Sequence, residues 1–530
     1  MAMRDIERNL IQRVCVGDIL TRSAAHHPES LAVKDGEYQF TYKEFNDVVN
    51  QCASALLALG LKYQDRVALA TRNRWEFLVT YFGCAKAGLI AVPLNPGLRP
   101  REFDYCLRDS GARVLIAESF VTSSIGSVLD HLTDLQHVFW IRTDGVIPDF
   151  PKTSGTFESL VQSGHTTEVE RVVWDRDAVQ LLYTSGTTSA PKGVLTSHVA
   201  ITITALSTAL RHKMDGYDVV LHLLPLFHCA QLNSIAIPTF TVAGTSIILS
   251  DFDPVHVTTV VEQDKVSLLL LLPMMYQALL VHPGSQEADF SSVRLAIYAM
   301  APMPLSRIQQ IQMRFPNADV LLGSGQTEFT PPTTFQFPAH QYMKAASWGS
   351  ATPSVQVEIM DDKGYLLSCG QTGEIVYRGP QAMERYWNQP EKTEEVFQHG
   401  WFHSGDVGYM DEEGVIWFTD RKKDMIKTGG ENVASLEVER RLLEHPAVVE
   451  AAVLGLPHSK WGEAVTGLII VKSGMNVSER DLIAFCKEVL TDFKVPKQIL
   501  FVHEFPRTGT GKIQKQKLRQ ENIALYETIL

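Results

Sequence analysis

Apolar positions along the chain fall into two textures. From about residue 30 to about 325, short β-branched runs alternate with longer amphipathic stretches, the rhythm of strands alternating with helices. Residues 219–224, 246–249, 254–263, 267–272, 294–299, 304–315 and 320–323 predict strand, strand, helix, strand, strand, helix and strand in turn. The run 267–272 is apolar at nearly every position, which suits a strand whose sheet is covered by helices on both faces. An α/β fold follows. From about 345 to 420 the pattern shifts to short alternating strands broken by glycine turns, at 355–359, 373–379 and 414–419, and predicts a β-rich subdomain. Beyond Arg421 come a charged segment, a glycine pair and a compact α+β unit: helix 435–445, strands 448–454 and 465–471, and helix 478–490 opened by a Ser478/Asp481 capping box. The expected organisation is a large N-terminal domain of several subdomains, 1–420, followed by a small α+β C-terminal domain, 421–530.

A length of 530 residues agrees with more than one core, and 45% hydrophobic with 20% charged residues excludes disordered, collagen-like and coiled-coil classes. The net charge of −12 argues against a general binder of nucleic acid or anionic membranes. An anionic substrate must then meet a local group of cations. Seven scattered cysteines form no CxxC pair and no zinc spacing, which predicts a reduced, cytoplasmic setting. The first 22 residues predict no export signal. The most apolar run, 266–276, has 11 residues and contains Pro273, whereas a membrane span needs about 20 residues, so it predicts a buried strand running into a turn and helix.

The segment richest in chemistry is Tyr183-Thr-Ser-Gly-Thr-Thr-Ser-Ala-Pro-Lys-Gly193, placed between a strand-like run at 178–182 and a helix-like run from Ser197. Hydroxyls, two glycines and one lysine supply the donors and the cation that a polyphosphate needs. It is not a Walker A loop, because Lys192 follows proline and precedes glycine. Gly323-Ser-Gly-Gln-Thr-Glu328 follows a strand and lets the backbone approach a ligand at the strand's carboxyl end, but Glu328 replaces the third glycine of a dinucleotide fingerprint. Lys512 follows a stretch too rich in glycine for a helix, so a mobile loop is expected, with Lys515, Lys517 and Arg519 beyond it on a solvated helix face.

In order along the chain, Thr184 to Gly193, Leu224-Pro-Leu-Phe-His-Cys-Ala230, Gly323 to Glu328, Trp401-Phe-His-Ser-Gly-Asp-Val-Gly408, Arg421-Lys-Lys-Asp-Met-Ile-Lys-Thr-Gly-Gly430 and Pro506-Arg-Thr-Gly-Thr-Gly-Lys512 resemble the motifs of the acyl- and aryl-CoA ligases of the adenylate-forming superfamily. The resemblance covers nearly the whole chain. It implies an ATP-dependent fatty or aryl acid CoA ligase working through an acyl-adenylate, with ATP, Mg2+ and CoA as cofactor and co-substrates and a small-molecule carboxylic acid as partner. Oligomerisation is left open.

By the same resemblance, Thr184, Ser185, Gly186, Thr187, Thr188, Lys192, Ala301, Ser324, Gly325, Gln326, Thr327, Asp406, Arg421 and Lys512 bind ATP or AMP. Asp406 and Arg421 engage the ribose hydroxyls, a task for which a carboxylate accepting two hydrogen bonds is suited. Glu328 helps hold Mg2+, and Lys512, His228, Thr187 and Glu328 act in catalysis. His228, Gln231, Ala299 and Gly323 line the acyl site, where the missing side chain of Gly323 is expected to leave room. Gly429, Gly430 and Glu431 border a channel for CoA, and Lys423 is the hinge about which the C-terminal domain turns. Ser324 stands where many relatives carry an aromatic ring for adenine. The uncharged run 229–237 lacks the aspartate that would pair a substrate ammonium, which argues against amino acids. Two alternatives keep the fold: an enzyme passing its acyl group to a carrier protein, an amine or oxygen, and a catalytically silent acyl-ligand sensor.

Overall fold

Runs such as Leu268–Leu271, buried at every position, leave no face for water. The computed structural model, which describes residues 3–142, 148–150, 152–184, 191–299, 303–507 and 513–526, covers such strands with helices on both sides. By packing the chain divides into two units, the first built from Met1–Thr184, Pro191–Val357 and Tyr377–Phe402, the second from Glu358–Val376 and His403–Leu530. The 420/421 boundary expected from the motifs lies within the second of these.

Two large sheets organise the first unit. One has eight strands, with Arg385–Tyr386, Lys192–Ser197 and Ala178–Thr184 at one side, followed by Ile90–Pro93, Arg66–Ala70, Val114–Glu118, His137–Ile141 and Thr153–Thr156 in parallel. The other has nine, and its central strands Asp319–Ser324, Leu295–Tyr298, Leu268–Leu271, Val219–His222, Thr245–Ile248 and Leu31–Asp35 are also parallel. Alternate residues serve opposite cores: Val67 and Leu69 pack on the side shared with the second sheet, Ala68 and Ala70 on the other. Helices fill the shared layer. Tyr42–Ala58 starts at a complete capping box of Thr41 and Glu44, and Trp75–Ala87 is buried along its whole length. Phe45, Phe82 and Phe240 close the layer, with Phe82 and Phe240 ring centroids 4.9 Å apart. Each of the seven elements expected between 219 and 323 is present, with ends displaced by no more than two residues. Among the described residues no helix is long and apolar enough to cross a membrane.

In the second unit the strand Gly462–Val471 lies between Val448–His458, antiparallel to it, and Gln498–Phe501, parallel to it. Helices Ser435–Leu443 and Glu479–Lys487 cover one face, and Lys515–Glu521 packs Leu518 on the other. The Ser478/Asp481 capping box is formed. Asp420 is buried and ties the end of Ile416–Arg421 to the helix start, because its carboxylate accepts from the Ser435 hydroxyl at 2.7 Å and from two backbone N–H groups there.

The solvated helix face expected for Lys515, Lys517 and Arg519 is corrected by this packing. Lys515 Nζ lies 2.7 Å from Glu439 Oε1 and donates to Ser435 Oγ, Arg519 pairs with Glu463, and only Lys517 is exposed. Positions 515 and 519 share the face that carries Leu518 inward, a relation visible only once the helix has a surface to lie on. Burial pushes the Glu439 carboxyl up, and Lys515 opposes that shift. Lys515→Met strands this carboxylate and is expected to cost roughly 2 kcal/mol or more, whereas Lys517→Met should change stability by less than about 0.5 kcal/mol. Hydrogen exchange of the Val448–His458 amides checks the pair of variants. Equal protection in both would remove the ion pair from the stability of this unit.

Candidate functional site

The signature segment begins in a β-hairpin. Ala178–Thr184 runs antiparallel to Lys192–Ser197, with Thr184 opposite Lys192 and Tyr183 opposite Gly193. The expected strand, loop and helix therefore have a second strand between loop and helix, and helix His198–His212 starts only after it. Six residues of mixed polarity are too short a pattern to separate from loop, and pairing with Ala178–Thr184 decides their conformation. Ser185, Gly186, Thr187 and Thr188 lie outside the described residues, as does Ala301.

A residue absent from the sequence reading joins Lys192 to Glu328. Tyr386, in the short strand that pairs with Lys192–Ser197, donates its hydroxyl to Glu328 Oε1 at 3.0 Å. The Lys192 ammonium sits 4.5 Å from the centroid of the same ring. Burial and the neighbouring Glu328 carboxylate hold the Tyr386 phenol well above its usual range, so it remains a donor. Because Tyr386 belongs to no phosphate-loop pattern, only the pairing of its strand could reveal it.

Glu328 occupies a single turn, Thr327–Phe329, after the strand Asp319–Ser324. Its position is set from behind by Gln381, fully buried, whose side-chain amide donates to the carbonyls of Phe329, Thr330 and Pro332 at 3.2, 2.9 and 3.0 Å. Ser324, Gln326, Thr327 and Glu328 are half-buried and Gly325 is exposed, leaving this edge accessible. Thr327 Oγ1 lies 3.2 Å from Cys229 Sγ, which brings the turn against the start of the helix after His228. His228 caps that helix, its Nδ1 accepting from the Ala230 N–H at 3.1 Å. The loop before it is clamped by buried Asn73, which accepts from the Leu226 N–H at 2.7 Å and donates to the Leu224 carbonyl at 2.9 Å. Gln231 is fully buried, and Ala299 lies half-buried at the end of Leu295–Tyr298.

Gly323 differs from expectation. It pairs with Phe335 across the strands, and a Cβ placed on it would come within 2.5 Å of the Phe335 ring. The space of the missing side chain is therefore taken by an aromatic ring rather than left open.

In the second unit, Asp406 and Arg421 stand opposite each other in an antiparallel pair, and Arg421 Nε lies 3.4 Å from Asp406 Oδ1. Asp406 is buried inside the strand Trp401–Met410, and Arg421 is about half exposed. Lys423 is exposed in the connection after Ile416–Arg421. Gly429 and Gly430 form the two-residue turn between Ile426–Thr428 and Glu431–Val433, with φ of +60° and +88°, and Glu431 is exposed beside them. Two consecutive residues with positive φ match a hairpin that glycines close without strain. Lys512 lies outside the described residues, between Arg507 and Ile513, which form an antiparallel bridge. No group of three or more metal-binding side chains occurs among the described residues.

Residues 20–387 match the AMP-binding enzyme family and 437–512 match the AMP-binding enzyme C-terminal domain. The chain is 35% identical over 511 residues to the feruloyl-CoA synthase of an Amycolatopsis species, covering 95% of this chain and 98% of that one. It is 32% identical over 502 residues to the indoleacetate–CoA ligase of Aromatoleum aromaticum, covering 94% and 97%. Among solved structures, the anthranilate CoA ligase AuaEII in complex with anthranoyl-AMP superposes with a TM-score of 0.87 at 29% identity, over 98% of this chain and 100% of that one.

The contact at Gly323 yields a direct test. Gly323→Ala forces the added methyl against Phe335 and is expected to cost about 1–3 kcal/mol by overpacking. Phe335→Leu in the same chain should recover part of the loss. Thermal unfolding of the single and double variants reads the coupling, and strictly additive costs would place Gly323 and Phe335 out of contact.

Proposed function

The chain belongs to the AMP-binding enzyme family, and from that premise we propose that it is an ATP-dependent ligase that joins a fatty or aryl carboxylic acid to CoA through an acyl-adenylate. The observation that carries this reading is the convergence of Lys192 and Glu328 on Tyr386 beside the signature hairpin. One cation and one carboxylate meet there, with Thr184 paired opposite Lys192.

In the first half-reaction a carboxylate oxygen of the acid attacks the α-phosphorus of ATP, the bond to the β-phosphate oxygen breaks, and pyrophosphate leaves. Lys192 and the loop 184–188 neutralise the outer phosphates, and Lys512 steadies the attacking oxygen and the α-phosphate. Glu328 suits a Mg2+ that takes its other oxygens from phosphates and water, since such an ion is held by one or two carboxylates. When bound, the ion would offset charge on the departing pyrophosphate. Asp406 accepts from the ribose hydroxyls beside Arg421. In the second half-reaction the CoA thiol attacks the acyl carbonyl, its proton passes to solvent, and AMP leaves. Lys423 is the assigned hinge between the two steps, and the turn Gly429-Gly430 with Glu431 borders the pantetheine path. Seven cysteines outside any disulfide, six of them buried, suit a reducing compartment, and the cytoplasm is the setting proposed.

Two measurements test the assignment. Pyrophosphate release from ATP should require a carboxylic acid, and thioester should appear only when free CoA is added. Release without acid, or transfer to no thiol, would overturn the ligase reading. Lys512→Ala should slow single-turnover adenylation by at least ~10²-fold while leaving thioester formation from synthetic acyl-adenylate nearly unchanged. A comparable fall in both rates would remove Lys512 from the first step. Lys423→Pro, which fixes φ and removes an N–H, should separate the two half-reactions. Equal loss of both in a folded variant would count against the hinge.

A further inference from the structure

Helix Cys229–Gln231 starts at His228 and runs directly into a wider π-helical turn, Leu232–Ala236, a distortion found mostly at functional sites. Gln231, three residues after His228, lies on the same side of the helix. It is fully buried, and so is His222 at the end of the strand Val219–His222. Gln231 Nε2 lies 2.8 Å from His222 Nδ1. Burial pushes the His222 ring down to about 3, so the ring is neutral at ordinary pH. Nδ1 accepts the amide proton, and the ring proton sits on Nε2.

The pair leaves a remainder. Among the described residues, Gln231 Oε1 and His222 Nε2 have no hydrogen-bond partner although both atoms are out of contact with water. Buried polar atoms are almost always partnered, and an orphaned acceptor is costly enough to need a reason. The neighbouring Ser234 hydroxyl cannot supply one, because it donates to the Pro331 carbonyl at 2.9 Å. On the π-helical turn that follows Gln231, Leu232 and Ile235 are apolar and buried, and the buried side-chain amide of Asn233 is likewise without a partner among the described residues, so it does not satisfy Gln231.

We infer that Gln231 selects an acid bearing a neutral hydrogen-bond donor, a hydroxyl, on its acyl portion, with Oε1 as the acceptor and His222 as the positioning residue that holds the amide. This rests on the ligase reading, in which His228 stands beside the substrate carboxylate. A wholly apolar acid would leave the orphaned oxygen without a bond. An ammonium is disfavoured as the donor because residues 229–237 carry no charge to pair it.

The test uses aryl and alkyl acids in matched pairs that differ only in a hydroxyl or a methyl at one position, with ATP-dependent pyrophosphate release and CoA thioester formation as readouts. The wild-type protein should favour the hydroxylated member of at least one pair by about 10-fold or more in kcat/KM. Gln231→Met, close to glutamine in volume, should erase that ratio. His222→Phe should reduce it mainly by raising KM for the hydroxylated acid, whereas a purely structural role would lower both members equally. Equal use of both members across all pairs by the wild-type protein overturns the inference and leaves the ligase standing, and so does a ratio that survives Gln231→Met. Pyrophosphate release with none of the acids removes the ligase reading and this inference with it.

Discussion

The first unit depends on keeping one helix dry. Trp75–Ala87 is buried on every side between two sheets, and its last turn carries the ammonium of Lys86 into that layer. A lone buried ammonium is not tolerable. Lys86 Nζ therefore meets Asn46 at 2.7 Å, Asn50 at 2.8 Å and Glu168 at 2.7 Å, three partners drawn from another helix and a distant connection. Burial still lowers the Lys86 pKa despite Glu168. For Glu168 burial opposes ionisation, but Lys86 and the two asparagine amides outweigh it and hold the carboxyl below its usual value. The segment around Glu168 is thereby pinned to the layer, and the helix can present Asn73, just before its start, to the loop that leads to His228.

The polar side chains that shape the candidate site follow one rule: a buried group with several bonds fixes the chain next to a half-buried polar residue, His228 or Glu328. Asn73 holds the chain before His228, and Gln381 holds the chain after Glu328 by three carbonyls at once. Neither touches the accessible edge itself. In the second unit Asp420 plays the same part for the start of Ser435–Leu443, and Lys515 and Glu439 close the network from the far side. The buried bonds that fix these segments are thus made by residues other than the accessible polar ones, which allows the accessible groups to be polar without cost to the core.

Much of this was legible in advance because the signals are local. Period-two and period-3.6 patterns placed the elements between 219 and 323 and the C-terminal helices and strands, and the Ser478/Asp481 box marked a helix start. The strand Lys192–Ser197, Tyr386, Gln381 and the inward face of Lys515 were not legible. Strand 192–197 depends on pairing with 178–184 across the hairpin, and the others depend on partners far along the chain: Tyr386 on Glu328, Gln381 on the carbonyls of 329–332, Lys515 on Glu439. No short window of sequence contains both halves of these last three contacts.

The order of motifs by itself determined the family, and the alternation of apolar patterns determined the α/β class, because backbone periodicity and residue chemistry are properties of short segments. Only the tertiary structure decided that the Gly323 side-chain space is filled by Phe335, that Asp406 sits within a strand opposite Arg421, and that Gln231 is locked by His222 with one oxygen unpartnered. The physical reason is that exclusion of volume and satisfaction of buried polar atoms are conditions on three-dimensional neighbours, and those neighbours are chosen by the packing of whole elements.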